Sequence, residues 1–315
     1  MCAALFASAH AAPPQPDHTF MPPDAINALA QYTLSGLTTG SVYALLALGY
    51  SLIFNATGIV NFTQGDFLSL GGLVLYSLLV SQGLPIFAAF PATILLVAVA
   101  GGLVERVCLR PARSRQMIIL IFITMAASTL MRGLMKQGWG KLPLALPPLS
   151  PEVPFRLLGA VLTPQNLWVM GMTLCGIAAL AWFFRATVTG KAMRAAAADP
   201  RTARLMGVEV ERLTTLSFAF AGALGALGGM LITPITSLSY DIGLMLGLKG
   251  FAAAVLGGYG SFAGAVAGGV LLGLFESYGA GYVTSAYRDV LVFGLLILVL
   301  FVRPQGLFGA TGRRA

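Results

Sequence analysis

Few side chains in this sequence could do chemistry away from water. Lys249 stands inside the apolar run 244–257, and Asp66 opens the run at 67–81. An ionisable group in an apolar span is costly, so each is a candidate for function. Lys249 reads either as a solute contact or as a residue at a broken helix end that snorkels to the interface. Asp66, which follows the stretch NFTQG, reads either as a solute contact or as a helix cap. The polar residues Thr38, Thr39, Ser41, Tyr43, Asn61 and Gln64 could line a path for a zwitterion. Against that, a Ser or Thr inside a span readily bonds its own backbone. Glu105 is expected to pair with Arg106 or Arg110, and Glu276, Arg288 and Asp289 to be satisfied locally.

A second candidate lies outside the apolar runs, in TGKAMRAAAADPRTARLMGVEVER (189–212). Lys191 and the alanines that follow favour a helix. Asp199 can cap a second helix, Pro200 suits its first position, and Gly207 suits the left-handed stop after Met206. Two short cationic helices at an angle could lie on anionic lipid. Alternatively they dock into a cytoplasmic partner, with Leu205 and Met206 as apolar anchors and Arg194, Arg201 and Arg204 as the rim.

Other chemistries find little support. The only histidines, His10 and His18, fall in the polar N-terminal stretch, and Cys2, Cys108 and Cys175 are isolated, so no metal set or disulfide frame can be read. The 11 acidic residues are spread along the chain without a pair inside any span, which argues against an intramembrane enzyme. No G-x-x-x-x-G-K-[ST] occurs, so if ATP drives this protein, partner subunits bind it.

The elements that must position these residues are membrane helices. With 57% hydrophobic and 10% charged residues and a mean hydropathy of +0.84, a chain of 315 residues cannot cover a water-soluble sphere. Runs such as VLVFGLLILVLFV lack the alternation of a barrel strand. The expectation is an all-α polytopic transmembrane bundle of about 8–9 spans. They are read at 32–54, 67–81, 87–104, 117–131, 167–184, 213–232, 244–257, 262–278 and 290–302. The Gly-interrupted stretch 243–260 is the candidate for a re-entrant segment. The spacings Gly36/Gly40, Gly225/Gly229, Gly264/Gly268 and Gly269/Gly273 read as packing surfaces. Residues 1–28 read as a tail or residual signal-like segment, 29–309 as the membrane domain, with a loop at about 185–212, and 310–315 as a tail. The formal charge of +8 reflects topology, not nucleic acid binding. Most of the 19 Lys and Arg fall at 106–115, 185–212 and 303–314, which the positive-inside rule places in the cytoplasm. Nine crossings then put the N-terminus outside.

Together these stretches resemble the LivH/LivM permease family of branched-chain amino acid ABC transporters. The resemblance is carried by the 189–212 segment, by GLTTGSVYALLALGYSLIFNATGIVNFTQGDFLSLGG (36–72), by ERVCLRPAR (105–113) and by LKGFAAAVLGGYGSFAGAVAGGVLLGLFES with RPQGLFG (248–309). It is closer to the LivH-type member and covers nearly all of the chain after about Ala28. This sequence departs from the family pattern at Asn55, where a Gly is common, and at Thr63, which stands before Gln64 where the family has Ala. The resemblance implies a permease in the bacterial inner membrane that pairs with a second, LivM-type permease subunit. It further implies two cytoplasmic ATPase subunits, a periplasmic solute-binding protein, and a coupling role for the 189–212 loop. The solute would be a branched-chain amino acid, with urea, an amide or another amino acid as the alternative. A secondary transporter, the more distant alternative, would work without an ATPase.

Overall fold

The computed structural model describes residues 25–112, 116–151, 153–157 and 160–309. The signal-like reading of the first 24 residues lies outside this range, as do Arg113, Arg115, Arg313 and Arg314. The described chain is helical almost throughout: α1 (Ala25–Thr57), α2 (Gln64–Tyr76), α3 (Ile86–Val104), α4 (Met117–Trp139), α5 (Pro164–Ala186), α6 (Val188–Ala198), α7 (Pro200–Leu205), α8 (Val210–Ile232), α9 (Ile242–Gly257), α10 (Phe262–Tyr282) and α11 (Arg288–Val302). The segments Ser77–Ser81 and Glu105–Leu109 extend α2 and α3 as π-helical turns. A short antiparallel hairpin, β1 (Phe155–Leu157) with β2 (Ala160–Leu162), covers one end of the bundle, where Val161 exchanges hydrogen bonds with Gln31.

Eight of the described helical segments are long and apolar enough to cross a membrane. The sixteen-residue α9, also apolar, is shorter. The span expected at 117–131 runs on to Trp139, which brings Arg132 and Lys136 into the helix.

Glycine lets these helices approach backbone to backbone, which is where packing energy comes from when lipid is as apolar as the side chains. All eight residues of the four glycine pairs face a neighbouring helix closely. Gly36, Gly40, Gly269 and Gly273 join α1 to α10; Gly225 and Gly229 seat α8 on α2; Gly264 and Gly268 seat α10 on α9. The core is therefore α1 and α8, ringed by α2, α3, α9 and α10, while α4 and α11 have much of their surface exposed.

Two helices start inside the bundle. After α1 the chain turns back, so that Gln64 at the head of α2 donates Nε2–H to the carbonyl of Ala221, the midpoint of α8, at 3.0 Å. The head of α9 meets the same region: Gly243 N–H donates to Ser69 Oγ at 2.9 Å, and the Gly243 backbone lies against Gly65.

Candidate functional site

The interior break is built from Asn61, Thr63, Gln64 and Asp66, each 0–1% exposed. Asn61 Oδ1 accepts from the Thr63 amide at 3.2 Å and hydroxyl at 2.8 Å, which fixes the turn before α2. Asn61 Nδ2, Gln64 Oε1 and Asp66 Oδ2 are buried without a protein partner. Buried polar atoms left unpaired are costly, and three of those among the described residues fall in this one cluster. The α4 hydroxyl of Thr124 closes it from one side by accepting from the Phe62 amide.

Asp66 does not cap α2. Thr63 holds the cap position without a side-chain bond, and the Asp66 carboxylate turns instead to Arg132 of α4, with Oδ1 3.4 Å from Nε. An opposite charge across the helix contact outweighs a local cap when both sit away from water. Arg132 was missed from sequence because the apolar run stops at Met131; a cation so near an apolar run was the available signal.

Thr38, Thr39 and Ser41 bond the carbonyls of Leu34, Ser35 and Leu37 in their own helix, the self-satisfied alternative. Tyr43 is fully buried on α1.

Lys249 does not sit at a broken helix end. It is the eighth residue of the continuous α9 and 6% exposed. Gly243 and Gly247 on that helix face α2, whereas Lys249 turns to α10 and α11. Its Nζ lies 2.7 Å from Glu276 Oε1 and 2.6 Å from Asp289 Oδ1, and Arg288 also pairs with Glu276. Two cations and two carboxylates thus cross-link three helices, a wider network than local pairing. The structure separates Lys249 from the Asn61–Asp66 cluster in this way.

At the opposite end of α1, the expected elbow is present. Thr187 Oγ1 caps α6 by accepting from Gly190 N–H at 2.9 Å. Asp199 caps α7, accepting from the Arg201 and Thr202 amides, and Pro200 takes the first helical position. The Thr202 hydroxyl, followed by the two amides, holds the Asp199 carboxyl below the usual range. Gly207 ends the elbow with φ +82°, a left-handed value that favours glycine. Met193, Ala196 and Ala203 face the bundle, whereas Lys191, Arg201, Arg204, Leu205 and Met206 face out. Leu205 is 87% and Met206 79% exposed. Arg194 is exposed as well, and borders a cavity of about 260 Å³ with Asn55, Met193 and Phe262.

The described residues of all three basic clusters meet at this end. Arg110 pairs with Glu105 at 3.7 Å, and both reach Thr215 near the start of α8. The segment after Arg303 folds back on α9, with Leu307 and Phe308 amides donating to Leu256 and Gly257 carbonyls. Asn55, one of the departures from the family pattern, ties α1 to the Gly260 carbonyl here.

Residues 32–300 match the family described as the permease component of the branched-chain amino acid transport system. The chain is 33% identical over 297 residues to the high-affinity branched-chain amino acid transport system permease protein LivH of Salmonella typhimurium, covering 89% of this chain and 95% of that one. With the same coverage, it is 32% identical over 292 residues to LivH of Escherichia coli and 33% identical over 292 residues to the permease protein BraD of Pseudomonas aeruginosa.

Proposed function

Because this chain belongs to the branched-chain amino acid permease family, we propose that it is the transmembrane permease subunit of an ATP-driven importer for branched-chain amino acids in the bacterial inner membrane. A second, LivM-type permease completes the path, two ATPases bind beneath it, and a periplasmic protein delivers the solute. The observation that carries the coupling role is the elbow: two fully presented apolar side chains, Leu205 and Met206, on a helix held by Asp199 and flanked by Arg201 and Arg204. A rigid apolar tip with a cationic rim has the form of a protein-docking knob. The three basic clusters gathered at this end support its placement in the cytoplasm.

In this reading, closure of the ATPases moves α6 and α7, and the motion passes to α5 and α8, which flank them in the chain. The buried start of α2 and the start of α9 form the part of the path belonging to this subunit, with Asn61, Gln64 and Asp66 as its polar groups. Such interior helix starts present polar backbone to a solute without exposing it to lipid.

The test is reconstitution of the chain with its neighbouring permease, ATPases and binding protein in proteoliposomes. Leucine uptake should require ATP and all subunits, and R194E/R204E should abolish it while membrane insertion persists. Full-rate uptake by this chain alone, or ATP-coupled uptake by the double variant, contradicts the proposal.

A further inference from the structure

Most of the exposed surface of α4 is apolar, as at Phe122, Leu130 and Leu134, but one stripe beside it is polar. Thr129, Gly133 and Lys136 are exposed at helical spacing, and the Arg132 side chain between them is 25% exposed. A Cβ at Gly133 would meet nothing within 4 Å. Arg132 lies seven residues before the end of α4, about 10 Å along the helix, and its guanidinium turns inward to Asp66 instead of outward along the helix surface. Charged groups within a membrane span face protein or water.

Arg132 and Asp66 are also incompletely matched. The contact is 3.4 Å from Nε to Oδ1, and Arg132 is also engaged by Ser128, Nε donating to its carbonyl at 3.5 Å and Nη2 to its Oγ at 3.2 Å. Asp66 Oδ2 has no partner although Asp66 is 1% exposed. A guanidinium has five N–H donors and a carboxylate two oxygens, so both retain binding capacity. A free α-amino acid carries the complementary pair, a carboxylate for the one and an ammonium for the other.

We propose that Asp66 and Arg132 form a zwitterion-reading pair on a solute path that α4 lines against the partner permease. The inference rests on the importer reading above and deepens it. The solute's carboxylate bonds the remaining guanidinium edge, and its ammonium takes the unpaired Oδ2 of Asp66, which is buried in this conformation and is uncovered when the path opens. Solutes lacking either charge leave one member of the pair unmatched, which selects α-amino acids over aliphatic acids and amines of similar shape.

The experiment uses the full complex in proteoliposomes with leucine as probe. D66N and R132K should each lower ATP-driven uptake by about tenfold or more. The exchange D66R/R132D, which retains an ion pair, should assemble with its partners yet stay equally impaired. Restoration of uptake by that exchange, or unchanged uptake in both single variants, overturns the proposal and leaves the importer reading intact. Independently, T129C in a background lacking the native cysteines should react with a charged, water-soluble thiol reagent in the assembled complex, and added leucine under turnover should slow the reaction. A T129C complex inert to that reagent places the stripe in lipid and overturns the proposal whatever the other variants do. A wild-type complex that imports no leucine refutes the importer reading itself, and the pair's role falls with it.

Discussion

Lys249 and Glu276 meet across the α9–α10 contact at 2.7 Å, with the lysine 6% and the glutamate 1% exposed. Neither could be tolerated alone in an apolar bundle, so each explains the other's presence. Asp289 and Arg288, nearly half exposed, connect the pair to the rim.

Removing one member should therefore be far worse than removing both. K249M leaves the half-exposed Arg288 as the cation on Glu276 and is expected to destabilise the fold, by less than the about 3–5 kcal/mol of a wholly unpaired buried charge, whereas K249M/E276M should recover most of that loss. Thermal unfolding of the purified complex reads the difference. Equal destabilisation by single and double variants would contradict the coupling.

L205S/M206S removes the apolar tip of the elbow without touching its cap or its charges. Truncating anchor side chains at a docking centre costs about 2 kcal/mol or more. The ATPases should fail to co-purify, while insertion and pairing with the second permease persist. Co-purification at the wild-type yield counts against docking at this tip.

The Asp199 cap predicts a pH dependence with a defined sign. Its folded-state value is depressed by Thr202 and the Arg201 and Thr202 amides, so its contribution is complete above the unfolded aspartate value of about 3.9. The contribution is lost as pH falls through the lower, folded value. Hydrogen exchange at the α7 amides, compared with D199N at each pH, should show protection lost only on the acid side. An acid response identical in D199N would remove Asp199 as its source.

Gly65 lies so close to the Gly243 carbonyl that any Cβ there must displace backbone. G65V is expected to cost about 1–3 kcal/mol by overpacking and to push α2 and α9 apart. A melting temperature unchanged from wild type would show that the contact yields easily.

Q64L keeps the volume at the interior break but removes the bond to the Ala221 carbonyl and the unpaired Oε1. If this cluster borders the path, leucine uptake falls with little change in assembly. Unchanged uptake assigns Gln64 to packing only.

Local signals made much of this readable in advance. The elbow is specified within a few residues by Asp199, Pro200 and Gly207, and the glycine spacings at 36/40 and 269/273 carry the α1–α10 contact. What escaped was non-local. Arg132 read as the end of an apolar run because its partner, Asp66, is on a different helix, and nothing near Arg132 in sequence shows that its charge is matched. Lys249 misled for the same reason, since Glu276 and Asp289 reach it only after α9, α10 and α11 have packed. The interior start of α2 was equally hidden, because hydropathy gives length along a helix and not its depth beside Ala221.

Gly190 has a mechanical corollary. Its α-carbon presses against the Phe183–Phe184 backbone, where a Cβ could not fit. With no side chain interposed, there is no compliant layer at that joint. A thrust on α6 reaches the α5 main chain as translation, undamped by rotamer changes, so the elbow and the foot of α5 move as one stiff strut.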